Sequence, residues 1–152
     1  MAESKYIHKS HNVSVLLYHV VCTAKYRRVG FSERVDEVLR EACLEIAKRY
    51  EMAFLEIGTD RNHVHFLIQA VPTYSPRKIV QTVKSLTARQ VFVGTPEVKK
   101  QLWGGEFWGK GYFITTVGQH GNEKVIATYI RKQGTELAYK QLHKQPLQLE
   151  LF

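Results

Sequence analysis

The sequence lacks the features that mark several large protein classes. Its 152 residues include only two cysteines and four prolines, too few for a disulfide scaffold or a proline-rich linker. No apolar run reaches the roughly 18 residues that a membrane-spanning helix needs, and the polar first residues contain no signal-peptide core. We therefore expect a cytoplasmic protein with reduced cysteines and no membrane partner, folded as a single domain over residues 1–152.

Acidic residues are missing from a long central stretch. Residues 61–96 contain five Lys and Arg side chains and no Asp or Glu, whereas residues 1–60 carry nine side chains of each sign. The whole basic excess, which gives the chain a net charge of +8, therefore follows residue 60. Such a concentrated charge favours a polyanionic partner, although a solvated basic surface would give the same count.

Hydrophobic periodicity divides the chain into strands and helices. Strands are predicted over residues 13–24, 52–57, 63–71 and 112–117, with a turn over 58–62; helices are predicted after Ser32, from Ser75-Pro76, and from Asn122 to Gln133. The tail over 135–152 is predicted to be flexible or peripheral, with a weak helical turn. This order favours an α+β fold: a ferredoxin-like (RRM-like) antiparallel sheet with helices on one face, plus a C-terminal helix.

The motif His63-Val64-His65 is the sharpest local feature. Alternate side chains of a strand share a face, so the two imidazoles project together while Val64 points into the core. Two imidazoles at this spacing can hold one divalent metal. The same pattern also occurs in zinc hydrolases and in cores where each histidine only completes a hydrogen bond. A zinc hydrolase is the weaker alternative, because residues 66–96 offer no third His, Asp, Glu or Cys ligand.

The predicted last helix carries a second group of polar residues. Val125, Tyr129 and Gln133 follow one another at four-residue spacing and share a helix face. A tyrosine at such a position is often a half-buried core residue, and a glutamine is often solvated. The functional interpretation makes Tyr129 a nucleophile and Gln133, through its neutral carbonyl oxygen, a metal ligand.

These motifs together resemble the single-tyrosine HUH transposases of the smallest prokaryotic insertion sequences, the insertion sequence 200/605 type. The similarity extends over residues 11–134. Its motifs are, in order, Lys25-Tyr26-Arg27-Arg28 after the first strand, residues 59–67 around the two histidines, residues 84–89, Leu102-Trp103 with residues 112–118, and Tyr129-Ile130 followed by Gln133.

The resemblance implies a DNA transposase that acts on single-stranded DNA near the nucleoid. In such enzymes the residues matched by His63, His65 and Gln133 bind Mg²⁺ or Mn²⁺. The tyrosine matched by Tyr129 attacks a DNA phosphate, forms a 5′-phosphotyrosine bond and frees a 3′-OH. The family recognises DNA hairpins near the element ends and works as a homodimer, whose tyrosine helix can complete the site of the partner.

Basic and aromatic residues are the expected DNA contacts. We predict that Lys25, Tyr26, Arg27, Arg28, Lys84 and Arg89 bind DNA through phosphate contacts and stacking. Two alternatives stay open. One is a domesticated, monomeric HUH enzyme that acts on host hairpin repeats. The other is a non-enzymatic nucleic-acid-binding module on the same fold, although such modules carry paired aromatics where this chain has two histidines.

Overall fold

The structure is a computed structural model, which describes residues 7–8, 13–25, 33–60, 62–102, 106–118 and 139–147. Within these ranges the strands are β1 (Ile7–His8), β2 (Val13–Ser14), β3 (Leu16–Ala24), β4 (Met52–Asp60), β5 (His63–Ala70), β6 (Trp108–Thr116) and β7 (Tyr139–Lys144). The helices are α1 (Glu33–Arg49), α2 (Pro76–Gly94) and α3 (Pro96–Gln101). The predicted last helix, over 122–133, lies outside the described residues.

Five of these strands form one antiparallel sheet in the order β6-β3-β5-β4-β7, and β1 pairs with β2 in a separate ribbon. Without β7, the order is that of a ferredoxin-like sheet, in which the first and third strands are central. The predicted fold class is therefore confirmed. The two central strands β3 and β5 pair along their whole length, from Leu16 opposite Ala70 to Thr23 opposite His63.

Helices α1 and α2 cover one face of the sheet and enclose the main core. Their apolar sides meet alternate strand residues such as Val20, Cys22, Val64 and Phe66, each of which has no exposed surface. Val64 thus points into the core, as predicted. Both cysteines are buried and free, which also matches the prediction for reduced thiols.

Local sequence signals explain where α2 begins and how it holds β6. The hydroxyl of Ser75 accepts a hydrogen bond from the backbone N–H of Lys78, and Pro76 is the first helical residue, as predicted. Further along α2, Thr87 Oγ1 accepts a hydrogen bond of 2.9 Å from the indole N–H of Trp108 on β6. This bond anchors the edge strand β6 to the helix layer.

Two predictions about local structure were wrong. The predicted turn over 58–62 is shorter, because β4 continues through Gly58 and Thr59 to Asp60, which pairs with His63. The weak helical turn predicted in the tail is absent over Tyr139–Lys144, which forms β7 on the outer side of β4. Both errors have one cause: β4 bonds to a strand on each side, and sheet pairing overrides weak local preferences.

None of the helices within the described residues combines the length and the apolar character that a membrane span requires.

Candidate active site

Both histidines of the motif lie on the sheet face opposite α1 and α2, which we call the histidine face. It is formed by alternate residues of the two central strands: Leu17, His19, Val21 and Thr23 of β3, and His63, His65, Leu67 and Gln69 of β5. Strand periodicity thus brings both imidazoles to the same side of the sheet, as predicted.

His65 is buried, and its ring is held by a second histidine. Its Nδ1 lies 3.2 Å from Nε2 of His19, and the two rings stack with centroids 5.4 Å apart and an interplanar angle of 19°. His19 sits diagonally across the strand pair, beside Val21, which is directly opposite His65. Diagonal neighbours are within reach of aromatic side chains.

Burial favours the neutral form of both imidazoles. Desolvation, followed by the nearby His65, lowers the pKa of His19 to about 4. Desolvation also lowers the pKa of His65, and the carboxylate of Asp60 partly opposes that shift. A neutral imidazole is the form that binds a metal, because protonation removes the lone pair.

Asp60 adds a carboxylate to the site. Its Oδ2 lies 3.5 Å from Nε2 of His65, and its side chain is 11% exposed. The sequence predicts that this residue lies in the turn over 58–62, but the extension of β4 places it directly opposite His63. The strand pairing brings the carboxylate to the site, since a shorter β4 would leave it in a loop.

His63 opens the site to solvent. It is half-buried. Together with His19, Val21, Asp60, His65 and Phe113 it lines a pocket of about 270 Å³, which we call the histidine pocket. Phe113 comes from the neighbouring edge strand β6, is 54% exposed, and meets the His19 ring edge-on at 6.0 Å. The pocket therefore combines imidazole nitrogens and a carboxylate with an exposed aromatic ring.

A second polar group lies beside the site on the β7 side. The fully buried Glu56 accepts hydrogen bonds from the hydroxyl of Tyr139 and from Nε2 of Gln141. The Tyr139 ring lies over Gly58 and contacts the ring of His65 edge-on at 6.0 Å. The tail predicted to be flexible or peripheral thus forms a strand whose Tyr139 packs against His65.

The residues present fit a partial metal site. Within the described residues, no group of three or more His, Cys, Asp and Glu side chains is arranged to hold a metal ion. However, Nε2 of His65 is buried and makes no hydrogen bond in that part of the chain. A buried nitrogen without a partner is costly, and a cation also held by His63 and an outside ligand would satisfy it.

Several predicted site residues lie outside the described residues. They are the nucleophile Tyr129, the third ligand Gln133, and the DNA contacts Tyr26, Arg27 and Arg28. Their roles stay predictions.

The remaining predicted DNA contacts are placed by the structure, two of them in contacts within the protein. Lys25 forms an ion pair with Glu106 over 2.6 Å. Lys84 donates to the backbone carbonyl of Gly109 over 2.7 Å and lies 5.9 Å from the centre of the Tyr112 ring. Arg89 is exposed on α2. Lys84 therefore also secures β6, and its predicted role in DNA binding is untested.

Comparison with known proteins identifies the relatives of this fold and site. Residues 12–133 match the family described as "Transposase IS200 like". The chain belongs to the IS200-like transposase family. The ISDra2 transposase TnpA of Deinococcus radiodurans is 31% identical over 118 residues, which cover 78% of this chain and 84% of the relative. The transposase for insertion sequence element IS200 of Salmonella typhimurium is 28% identical over 120 residues, covering 76% and 75%.

Solved structures agree with this assignment. A crystal structure of a Deinococcus radiodurans R1 protein assigned as a transposase superposes with a TM-score of 0.66 at 28% identity, covering 84% of this chain and 97% of that one. A REP-associated tyrosine transposase bound to a REP hairpin gives a TM-score of 0.54 at 10% identity, covering 86% and 68%. The second likeness concerns the fold alone. The predicted family is thereby confirmed.

Sequence reasoning missed two members of the site, His19 and Asp60. His19 interrupts an otherwise apolar strand, and a polar residue at that place is a signal that the face it occupies has a function. Asp60 stands three residues before His63. A turn of only two residues, 61 and 62, would have indicated that Asp60 and His63 pair across the hairpin.

Proposed function

We propose that this IS200-like transposase cleaves and rejoins single-stranded DNA at insertion-element ends through a 5′-phosphotyrosine intermediate on Tyr129. In this proposal His63, His65 and Gln133 hold Mg²⁺ or Mn²⁺. The single observation that carries it is the histidine pocket: two imidazoles on one sheet face, one of them with a buried nitrogen that makes no hydrogen bond in the described chain and lies 3.5 Å from the Asp60 carboxylate.

The chemistry follows from what these residues can do. The Tyr129 hydroxyl attacks the DNA phosphorus and loses its proton, an O–P bond to the tyrosine forms, and the bond to the 3′ oxygen breaks to release a 3′-OH. The reverse attack by a 3′-OH joins new ends without ATP. When bound, the metal ion would polarise the phosphate and stabilise its developing charge. A phenol has a pKa of about 10, so it attacks slowly without such help.

The pocket also suits an unpaired strand. Phe113 offers a half-exposed ring on which a base can stack, a contact that single-stranded nucleic acids use widely. A second groove, lined by residues that include His63, Lys110, Tyr112 and Phe113, runs along β6 away from the pocket. The chain's basic excess favours the phosphate backbone as its occupant.

The remaining parts of the proposal concern partners. A structural neighbour is bound to a REP hairpin, which supports hairpin-bearing DNA ends as the partner of this chain. We further propose a homodimer in which the Tyr129 helix acts in its own subunit or completes the site of its partner, working at the nucleoid in a prokaryotic cytoplasm.

The test is capture of the covalent intermediate. Purified full-length protein is incubated with Mn²⁺ or Mg²⁺ and single-stranded oligonucleotides that tile the DNA flanking the gene, then denatured and run on a gel. We expect an adduct that survives denaturation, that Tyr129→Phe abolishes and that Tyr50→Phe retains, since Tyr50 packs against the core on the helix side. An undiminished adduct with Tyr129→Phe would exclude Tyr129 as the nucleophile.

The same assay, extended to host hairpin repeats and combined with the mass in solution and a metal chelator, separates the alternatives. Adducts on dispersed host hairpin repeats from a protein with a monomeric mass in solution would indicate the domesticated enzyme. Hairpin binding that is unaffected by a metal chelator, with no cleavage of any oligonucleotide, would indicate the non-enzymatic binding module.

A further inference from the structure

We propose that His19 is a positioning residue that selects the tautomer of His65 and leaves Nε2 of His65 ready to bind the cation. This inference rests on the proposed function, because it concerns the same histidine pocket. It adds a residue that lies outside the motif and outside the predicted ligand set.

The geometry that carries the proposal is a buried chain of three groups. His19 is 1% exposed and His65 is 3% exposed, and the two rings stack with Nε2 of His19 at 3.2 Å from Nδ1 of His65. On its other side, Nε2 of His65 lies 3.5 Å from Oδ2 of Asp60. The ring of His65 therefore has one nitrogen directed at His19 and the other at the carboxylate in the pocket.

Only one of the two neutral tautomers of His65 can bind a metal through Nε2. If Nδ1 carries the proton, it donates to Nε2 of His19, and Nε2 of His65 keeps its lone pair for the cation. If Nε2 carries the proton, it faces Asp60 and cannot bind a metal. The Asp60 carboxylate favours a proton on Nε2 of His65. A hydrogen-bond acceptor beside Nδ1 is therefore needed to keep the proton on Nδ1.

This arrangement matches a general property of histidine ligands. A metal-binding imidazole usually donates its second N–H to a carboxylate, carbonyl or water, and losing that partner costs 10- to 100-fold in metal affinity. In this chain the partner is another imidazole. The contact between the two nearly parallel rings also limits rotation of His65, so removing His19 would loosen the orientation of the ligand as well as its tautomer.

The test measures Mn²⁺ binding to DNA-free protein by calorimetry or by the electron paramagnetic resonance signal of free Mn²⁺. His19→Leu removes the acceptor and should weaken Mn²⁺ binding by about 10- to 100-fold. His19→Gln places an amide oxygen as many bonds from Cα as Nε2 of His19. This acceptor should recover most of the Mn²⁺ affinity. His143→Leu is the matched control, because His143 lies on β7 and bonds to Gln145 away from the pocket.

The outcomes distinguish this inference from the proposed function. A folded unmodified protein that binds no Mn²⁺ contradicts the metal site itself. Tight Mn²⁺ binding that His19→Leu leaves unchanged overturns the role of His19 only. Long-range ¹H–¹⁵N NMR gives a measurement that does not depend on the variant's stability: in the unmodified protein the proton of His65 should reside on Nδ1, and a proton on Nε2 would overturn the inference.

Discussion

At the scale of single residues, His63 and His65 differ although they belong to one motif. His65 is buried between His19 and Asp60, whereas His63 is half-buried at the mouth of the pocket. The first is positioned by its neighbours, and the second is the proposed ligand that is open to solvent. Removing His63 should therefore disturb the fold little and the chemistry strongly.

We predict that His63→Ala keeps hairpin binding and stability but lowers DNA cleavage on the order of 100-fold or more, because one ligand to the proposed cation is lost. Adduct formation on denaturing gels and hairpin affinity by fluorescence anisotropy measure the two effects separately. His143→Ala, on β7 and outside both the pocket and the groove, is the matched control. Equal loss of binding and cleavage would instead indicate a damaged fold.

At the scale of secondary-structure elements, β4 is the strand on which the site depends. All nine of its residues are buried, and it pairs with β5 on one side and β7 on the other. Gly58 gives this strand room for the Tyr139 ring: a Cβ there would lie 2.0 Å from the tyrosine hydroxyl oxygen. A glycine in a strand interior, otherwise unfavourable, is explained by this close approach.

Gly58→Ala should therefore displace Tyr139 from Glu56 and lower the free energy of unfolding by about 1–3 kcal/mol, since a buried carboxylate loses a hydrogen-bond donor. Urea denaturation measures the change. Gly111→Ala is the control, because a Cβ at that position meets nothing within 4 Å. If the clash with the Tyr139 ring causes the loss, the double variant Gly58→Ala/Tyr139→Leu should lose much less free energy of unfolding than the two single variants lose in sum. Additive losses would argue against this explanation.

At the scale of the whole molecule, β7 ties the end of the described chain to the first helix. Nζ of Lys140 donates to Oδ2 of Asp36 over 2.9 Å, across 104 positions of sequence. The Asp36 side chain is 5% exposed and that of Lys140 is 52% exposed. Burial raises the pKa of Asp36 above its ordinary 3.8, and the hydrogen bond and charge of Lys140 partly offset this shift.

Lys140→Met should lower the free energy of unfolding by about 1–3 kcal/mol at pH 7, because it leaves a largely buried carboxylate without its cation. The loss should shrink as the pH falls through the raised pKa of Asp36, since a protonated carboxyl no longer needs the cation. Urea denaturation at several pH values tests this. Lys48→Met removes an exposed ion pair with Glu45 and should change stability little at any pH. A loss that is independent of pH would contradict the ion-pair explanation.

The sequence by itself determined the elements whose signals are local. Apolar periodicity predicts α1, and the cap Ser75 with Pro76 predicts the start of α2, because a helix is specified by residues within a turn or two of one another. Two-residue alternation likewise places His63 and His65 on one face and Val64 in the core. The family follows from motifs in order along the chain, and it is confirmed.

Only the tertiary structure decided which distant groups meet the histidines. His19 reaches His65 because β3 and β5 pair in one register, and a shift by one residue would turn His19 towards the helices. Asp60 joins the pocket because β4 is held between two strands beyond its predicted end. Tyr139 contacts the ring of His65 because β7 pairs with β4. Register and strand order are set by packing between segments far apart in sequence, and no local pattern encodes them.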